Sequence, residues 1–305
     1  MGEFLALSTA LIWAGTNISM RYGVIQKNPG VIMGVRLVMS NWGLPSVLAI
    51  LVLLCLLGFD PEAGIRSLNL NTLLLFSLDG LLTKVVAMLL LATAFGQIGA
   101  SRAAAIRASD SVFTCILSFV LLGENITPMQ TAAAFMVAGG AALANLKSEN
   151  EALSSEATSS MKFKGGAVAL AAGACFALGN IARGAAIHSG GSFLIGVLIS
   201  YLISFLVYGL IYLCSPRLRA SYREIGKTSA RYYRLAGIAD VIGTFTFFAS
   251  FTLAPVWLAV TLKSTQPLMV MGLSAAFLRK TERINVKVMA SSLMVVIGTC
   301  IIVST

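Results

Sequence analysis

The sequence predicts an all-α membrane protein, with ten transmembrane helices arranged as two inverted five-helix repeats. Three observations predict it: apolar runs of bilayer length recur, charge is scarce, and the two halves of the chain repeat one another. Of 305 residues, 57% are hydrophobic and 11% charged, with a mean hydropathy of +0.88. A soluble domain carries about 25% charged residues, so a water-soluble fold is excluded. Period-two alternation is absent, which excludes a membrane β-barrel.

The spans follow in order, each near the roughly 20 residues that cross about 30 Å of hydrocarbon. The first, 3–24, resembles a signal peptide in length. No basic stretch precedes it, Glu3 stands at its start, and no small-residue cleavage site follows, so it is expected to persist as a span. The turn Asn28-Pro29-Gly30 leads to the second, 31–57. The third, 70–95, carries Asp79, Thr83 and Lys84; the fourth, 99–122, carries Arg107 and Asp110 and ends at Gly123-Glu124-Asn125. Thr127-Pro128 opens the fifth, 127–146, with proline at the position where a helix needs no N–H. Residues 147–164 are rich in Ser and Glu and read as a flexible linker. Five more spans follow at 165–188, 192–214, 232–254, 256–279 and 284–303, with Pro255 separating the eighth from the ninth. The domains are therefore a first repeat over 1–146, the linker, and a second repeat over 165–305.

The repeat is visible in particular residues. Leu7 and Asn17 align with Leu170 and Asn180, and Trp13 with Phe176. Asp79 and Thr83 recur as Asp240 and Thr244; Arg107 falls opposite Lys263, and Glu124 opposite Glu282. Five spans per half is an odd number, so the halves sit in the membrane in opposite senses. Such inverted repeats place a substrate site near the midplane, where the halves meet.

Charge inside the spans marks the candidate site, because a charged side chain at the bilayer centre costs about 2.5–3.5 kcal/mol on insertion scales. Arg107 and Lys263 lie about two turns inside their helices, too deep for easy snorkelling. One reading makes them a pair of cations that grips an anionic substrate; the other pairs Arg107 with Asp110, three residues on and on the same face. The step Gln266-Pro267 should bend or open the helix near Lys263, since proline clashes with the carbonyl four residues back. Asp240 is the expected counter-ion of Lys263 in the empty site. Asp79 and Asp240 either carry a coupling proton or, with Lys84, balance charge. Thr83 and Thr244 reach substrate or bond their own helix backbone. Asn17 and Asn180 bridge helices or touch substrate. Trp13, Phe247, Phe248 and Trp257 stack on substrate or fill the core. Gly139-Gly140 and Gly298 read as close helix packing. Cys55, Cys115, Cys175, Cys214 and Cys300 lack paired spacing and read as free buried thiols. No metal motif is present, His188 is the only histidine, and no cofactor is expected.

The residues resemble the drug/metabolite transporter superfamily in its ten-helix EamA branch. The resemblance rests on Leu11–Asn17 (LIWAGTN), Arg36 early in the second span, Ser118–Pro128 (SFVLLGENITP), and the five-plus-five duplication. The second half departs from the pattern, ending its ninth span in FLRKTERI and opening its seventh without arginine. The resemblance implies a secondary transporter of small metabolites, with a cavity lined by the third, fourth, eighth and ninth spans. It does not name the cargo.

The reading is therefore a non-enzymatic secondary transporter of a small anionic or zwitterionic metabolite, multi-pass in the cytoplasmic membrane, monomeric or homodimeric, with protons as candidate coupling ion and no nucleic-acid partner. The rival readings are an exporter of cationic drugs, disfavoured by Arg107 and Lys263, and a membrane-embedded transferase, disfavoured by a single histidine near a helix end. Loop cations gather on one side, including Lys147, Lys164, Arg219, Arg231 and Arg234, against little beyond Arg66 on the other. The positive-inside rule then puts both termini outside the cytoplasm, whereas the family resemblance implies both inside.

Overall fold

The computed structural model describes residues 1–24, 31–56, 61–98, 106–145, 159–216, 219–220 and 227–266, together with residues 269, 273, 293–295, 297–298 and 301. Among the described residues there is no strand. Helices Gly2–Val24, Val31–Leu56, Pro128–Asn145, Phe193–Cys214 and Lys227–Ser250 fall where spans are expected. Leu70–Leu91, Phe163–His188 and Phe193–Cys214 are long and apolar enough to cross a membrane; Trp42–Leu56 and Asp110–Leu122 are shorter apolar helices. The chain is an all-α, multi-pass membrane protein.

Local chemistry fixes several ends. At the start of the third span the Asn69 side chain accepts from Thr72 N at 2.9 Å, and Thr72 Oγ1 accepts from Asn69 N at 3.0 Å. At the fifth, Gln130 N donates to Thr127 Oγ1 and Thr127 N donates to Gln130 Oε1. Both are reciprocal caps that satisfy orphan donors. Gly123, at φ 66°, ends the fourth span in the left-handed region where glycine carries no Cβ penalty.

Four expectations need correction. The helix of the sixth span begins at Ser159, so residues 159–164 of the expected linker are helical, and a short helix, Pro61–Arg66, stands between the second and third spans. The third span is not uniform: helix Leu70–Asp79 passes into a π-helical stretch, Gly80–Val86, then helix Ala87–Ile98. The fourth is broken: Ile106 and Arg107 are helical, Ala108 and Ser109 form a turn, and helix Asp110–Leu117 continues as π-helical Ser118–Leu122. The cysteines are not uniformly buried. Cys115 is, but Cys55 and Cys214 are exposed, because apolar residues of a membrane protein face lipid as well as core.

The seventh span shows that lipid face. Leu202, Phe205, Leu206, Leu210 and Leu213 are all exposed along one side, a contiguous apolar strip that water would not tolerate. Its other side buries Val197, Ser200, Tyr201, Ser204 and Tyr208. The first span packs mainly on the eighth, the sixth on the third, and the fourth on the sixth and ninth. A Cβ on Gly298 would stand 2.8 Å from Val137 Cγ2, so the fifth and tenth spans do approach closely there, as expected.

Candidate functional site

The interior charges fall into three clusters around one aromatic ring. In the first, Asp79 is fully buried on the third span. It accepts from Arg183 Nη2 at 2.7 Å, Arg183 Nε at 3.4 Å, Ser200 Oγ at 2.8 Å and Thr83 Oγ1 at 3.2 Å. A buried carboxylate needs this: paired and hydrogen-bonded, it avoids most of the desolvation penalty. The Arg183 guanidinium also lies 4.2, 4.9 and 5.5 Å from the ring centroids of Phe248, Phe247 and Phe251.

The second cluster joins the third, seventh and eighth spans. Lys84 Nζ donates to Asp240 Oδ2 at 3.1 Å, Thr244 Oγ1 at 2.9 Å and Tyr201 Oη at 3.2 Å, using all three ammonium protons. Tyr201 Oη donates to Asp240 Oδ2 at 2.7 Å, and Trp13 Nε1 reaches the Asp240 carbonyl at 3.5 Å. Thr83 and Thr244 each bond the carbonyl four residues back, at 2.8 and 2.7 Å. That is the backbone alternative weighed for them, although each hydroxyl also touches a charged partner.

The third cluster stands at two helix breaks. Lys263 Nζ donates to Asp110 Oδ2 at 2.8 Å, and Arg107 Nη1 lies 3.5 Å from the same oxygen. Lys263 and Asp110 are 5% and 1% exposed in their side chains, Arg107 24%. The counter-ion of Lys263 is therefore Asp110, not Asp240 as expected: the fourth span packs against the ninth and brings Asp110 to it, while Asp240 is held by Lys84. In each span the break follows the cation directly. After Arg107, Ser109 N bonds Ile106 O at 3.1 Å and Ser111 Oγ bonds Ala108 O at 3.0 Å. After Lys263, Thr265 N bonds Leu262 O at 3.1 Å, and the Ser264 and Thr265 hydroxyls bond the carbonyls of Val260 and Leu262. Hydroxyls competing for backbone carbonyls loosen a helix at these positions. The helix thus gives way to a turn directly after Lys263; Pro267, the residue expected to bend or open it, lies outside the described residues.

Phe247 is where the clusters meet. Its ring is 4.9 Å from the Arg183 guanidinium carbon, 5.6 Å from Lys263 Nζ and 5.3 Å, edge-on, from Trp13. Phe248 is fully buried against Arg183 and Phe76, so its ring faces protein in this conformation. Asn180 and Trp257 are buried, and Nδ2 of the one and Nε1 of the other have no hydrogen-bond partner among the described residues. Gln266 is half-buried beyond the break. The side chains of Asn17 and Arg36 lie outside the described residues.

Two residues were missed by sequence reasoning. Arg183 is the one cation in 165–188, and that isolation in an apolar run was signal enough. Tyr201 gave no such signal, since tyrosine is ordinary in a span. Glu124 acts in an unforeseen way: its carboxylate accepts from Val256 N at 2.7 Å and Trp257 N at 3.3 Å, capping the helix Val256–Lys263. A carboxylate at a helix N-terminus satisfies orphan donors and meets the positive end of the dipole. Glu124 and Pro255 also border an open cleft of about 730 Å³, with Ile187, His188 and Phe251 among its other walls. Among the described residues no group of His, Cys, Asp or Glu has the arrangement of a metal site.

A helical membrane bundle with three clusters of interior charge between its spans is consistent with a membrane transporter. Residues 1–146 match the model of the EamA-like transporter family, the family the sequence resembles, and this match supports a membrane transporter of the drug/metabolite kind. A solved crystal structure aligns with 99% of this chain and 96% of its own at a TM-score of 0.73 and 13% identity, a likeness that carries the fold alone. No curated protein matches the chain.

Proposed function

We propose that the protein is a secondary transporter that moves a small organic anion across the cytoplasmic membrane, by alternating access between two inverted five-helix halves. One observation carries the reading. Asp110 is shared by two cations, Lys263 at 2.8 Å and Arg107 at 3.5 Å, so among the described residues this cluster holds one positive charge more than its carboxylate neutralises. A substrate carboxylate or phosphate supplies the missing charge. The two cations come from opposite halves, each beside a helix break, and irregular backbone inside a membrane is tolerated where it is buried in protein or lines a cavity. Such a substrate ties the halves together when bound, which favours occlusion of the loaded site.

The inverted arrangement is supported by paired details: Asp-x3-Thr in the third and eighth spans with the same threonine-to-carbonyl bond, and breaks after Arg107 and Lys263. A coupling proton fits Asp240 better than Asp79. Asp79 is held by Arg183, Ser200 and Thr83 together. Asp240 and Lys84 keep 19% and 12% exposure, against 0% and 4% for Asp79 and Arg183.

The test is a thermal-shift screen of the purified protein against organic anions, zwitterions and cations, because a ligand that binds only the folded state raises its stability. Anions are expected to raise the midpoint. A shift with cations and none with anions would turn the reading to a cationic drug exporter.

A further inference from the structure

We infer that Arg183 is an entry station for organic anions, beneath the floor of the open cleft, from which the anion passes along Phe247 to Lys263. The inference rests on the transporter reading above and adds a second anion-binding position to it. Ile187 and Phe251 line the cleft. Ile187 is one helical turn above Arg183 on the same helix, and the Phe251 ring lies 5.5 Å from the Arg183 guanidinium carbon. Phe251 lines the cleft yet is 1% exposed, so its ring is turned inward, to the Arg183 side. Asp79 lies deeper: its Oδ1 is 3.4 Å from where a Cβ on Gly179 would stand, one turn farther from the cleft than Arg183.

Arg183 keeps donor capacity in reserve. Nε and Nη2 are committed to Asp79, while Nη1 is buried without a hydrogen-bond partner among the described residues. A buried donor left unmade costs about 1–3 kcal/mol, and a bidentate anion arriving from the cleft would satisfy it. Three phenylalanine rings hold the guanidinium in place, so little side-chain entropy is lost on binding. Phe247 then leads on, since its ring touches both cations, Arg183 at 4.9 Å and Lys263 at 5.6 Å. The ligand class is a compact organic carboxylate or phosphate with an apolar or planar body to slide over these rings. The Glu124 carboxylate at the rim opposes the idea, as it favours cations in the same cleft.

Charge-selective thiol labelling decides between them. In the full-length protein with its five cysteines replaced by serine, Phe251→Cys is treated with an anionic sulfonatoethyl or a cationic trimethylammonioethyl methanethiosulfonate. The ratio of rates is referred to Leu253→Cys, at an exposed cleft residue. Relative to position 253, the thiol at 251 is expected to favour the anionic reagent at least tenfold. The preference should fall within twofold in the double variant Asp79→Asn/Arg183→Gln, which removes both charges of the pair and so leaves no lone buried ion; Arg183→Lys should keep part of it. Equal rates, a cationic preference, no reaction with either reagent, or a preference that survives the double variant would each overturn the entry station. Labelling does not read Lys263, so such a failure would leave the anion site of the fourth and ninth spans to its own binding test.

Discussion

Lys263 Nζ and Asp110 Oδ2 meet at 2.8 Å across 153 residues of chain, joining the ninth span to the fourth. With Arg107 against the same oxygen, Asp110 acts as a built-in competitor for any anionic substrate. Asp110→Asn should therefore destabilise the empty protein, since buried Lys263 and partly exposed Arg107 lose their counter-charge; breaking a buried pair costs about 3–5 kcal/mol. An organic anion should restore stability, so its thermal shift is expected to be larger in Asp110→Asn than in the wild type. An equal or smaller shift would remove Asp110 from competition with substrate.

Glu124→Ala should weaken the protein by about 1 kcal/mol, as loss of a helix cap does, because Val256 N and Trp257 N lose their acceptor. Denaturant unfolding in detergent reads it. Glu124→Gln keeps one carbonyl acceptor and should fall between the two.

Asp240→Asn is expected to abolish uphill transport in proteoliposomes while leaving substrate counterflow intact. Asp79→Asn should instead lower the yield of folded protein, because it leaves the Arg183 guanidinium short of a counter-charge at a fully buried site. Equal loss of uphill transport and counterflow in a well-folded Asp240→Asn protein would reduce Asp240 to charge balancing.

The sequence announced the helices, because apolar runs of bilayer length leave few other structures, and it announced which charges matter, because charge in a span is rare. It did not announce who pairs with whom. Asp110 was placed with Arg107 by spacing along one helix, but its shortest contact is to Lys263, which only the packing of the fourth span on the ninth brings near. Asp240 was given to Lys263 and belongs to Lys84 for the same reason. The break after Lys263 had a visible proline. The break after Arg107 has only Ala108 and Ser109, residues common inside helices, and could not be foreseen.

Orientation is tested by a reporter fused after Thr305. The excess of loop cations on the side that holds Arg219, Arg231 and Arg234 predicts that the carboxy terminus lies outside the cytoplasm. A cytoplasmic signal would restore the arrangement that the family resemblance implies.

The most direct test of the central claim is the affinity of Lys263→Ala for the organic anion that most stabilises the wild type, measured by titration calorimetry on monodisperse protein. Loss of the cation should weaken binding by more than about tenfold, or about 1.4 kcal/mol. Lys263→Arg should recover only part of it, because a planar fork does not replace a compact ammonium. Wild-type affinity in a folded Lys263→Ala protein would contradict the account and take the anion site away from the fourth and ninth spans.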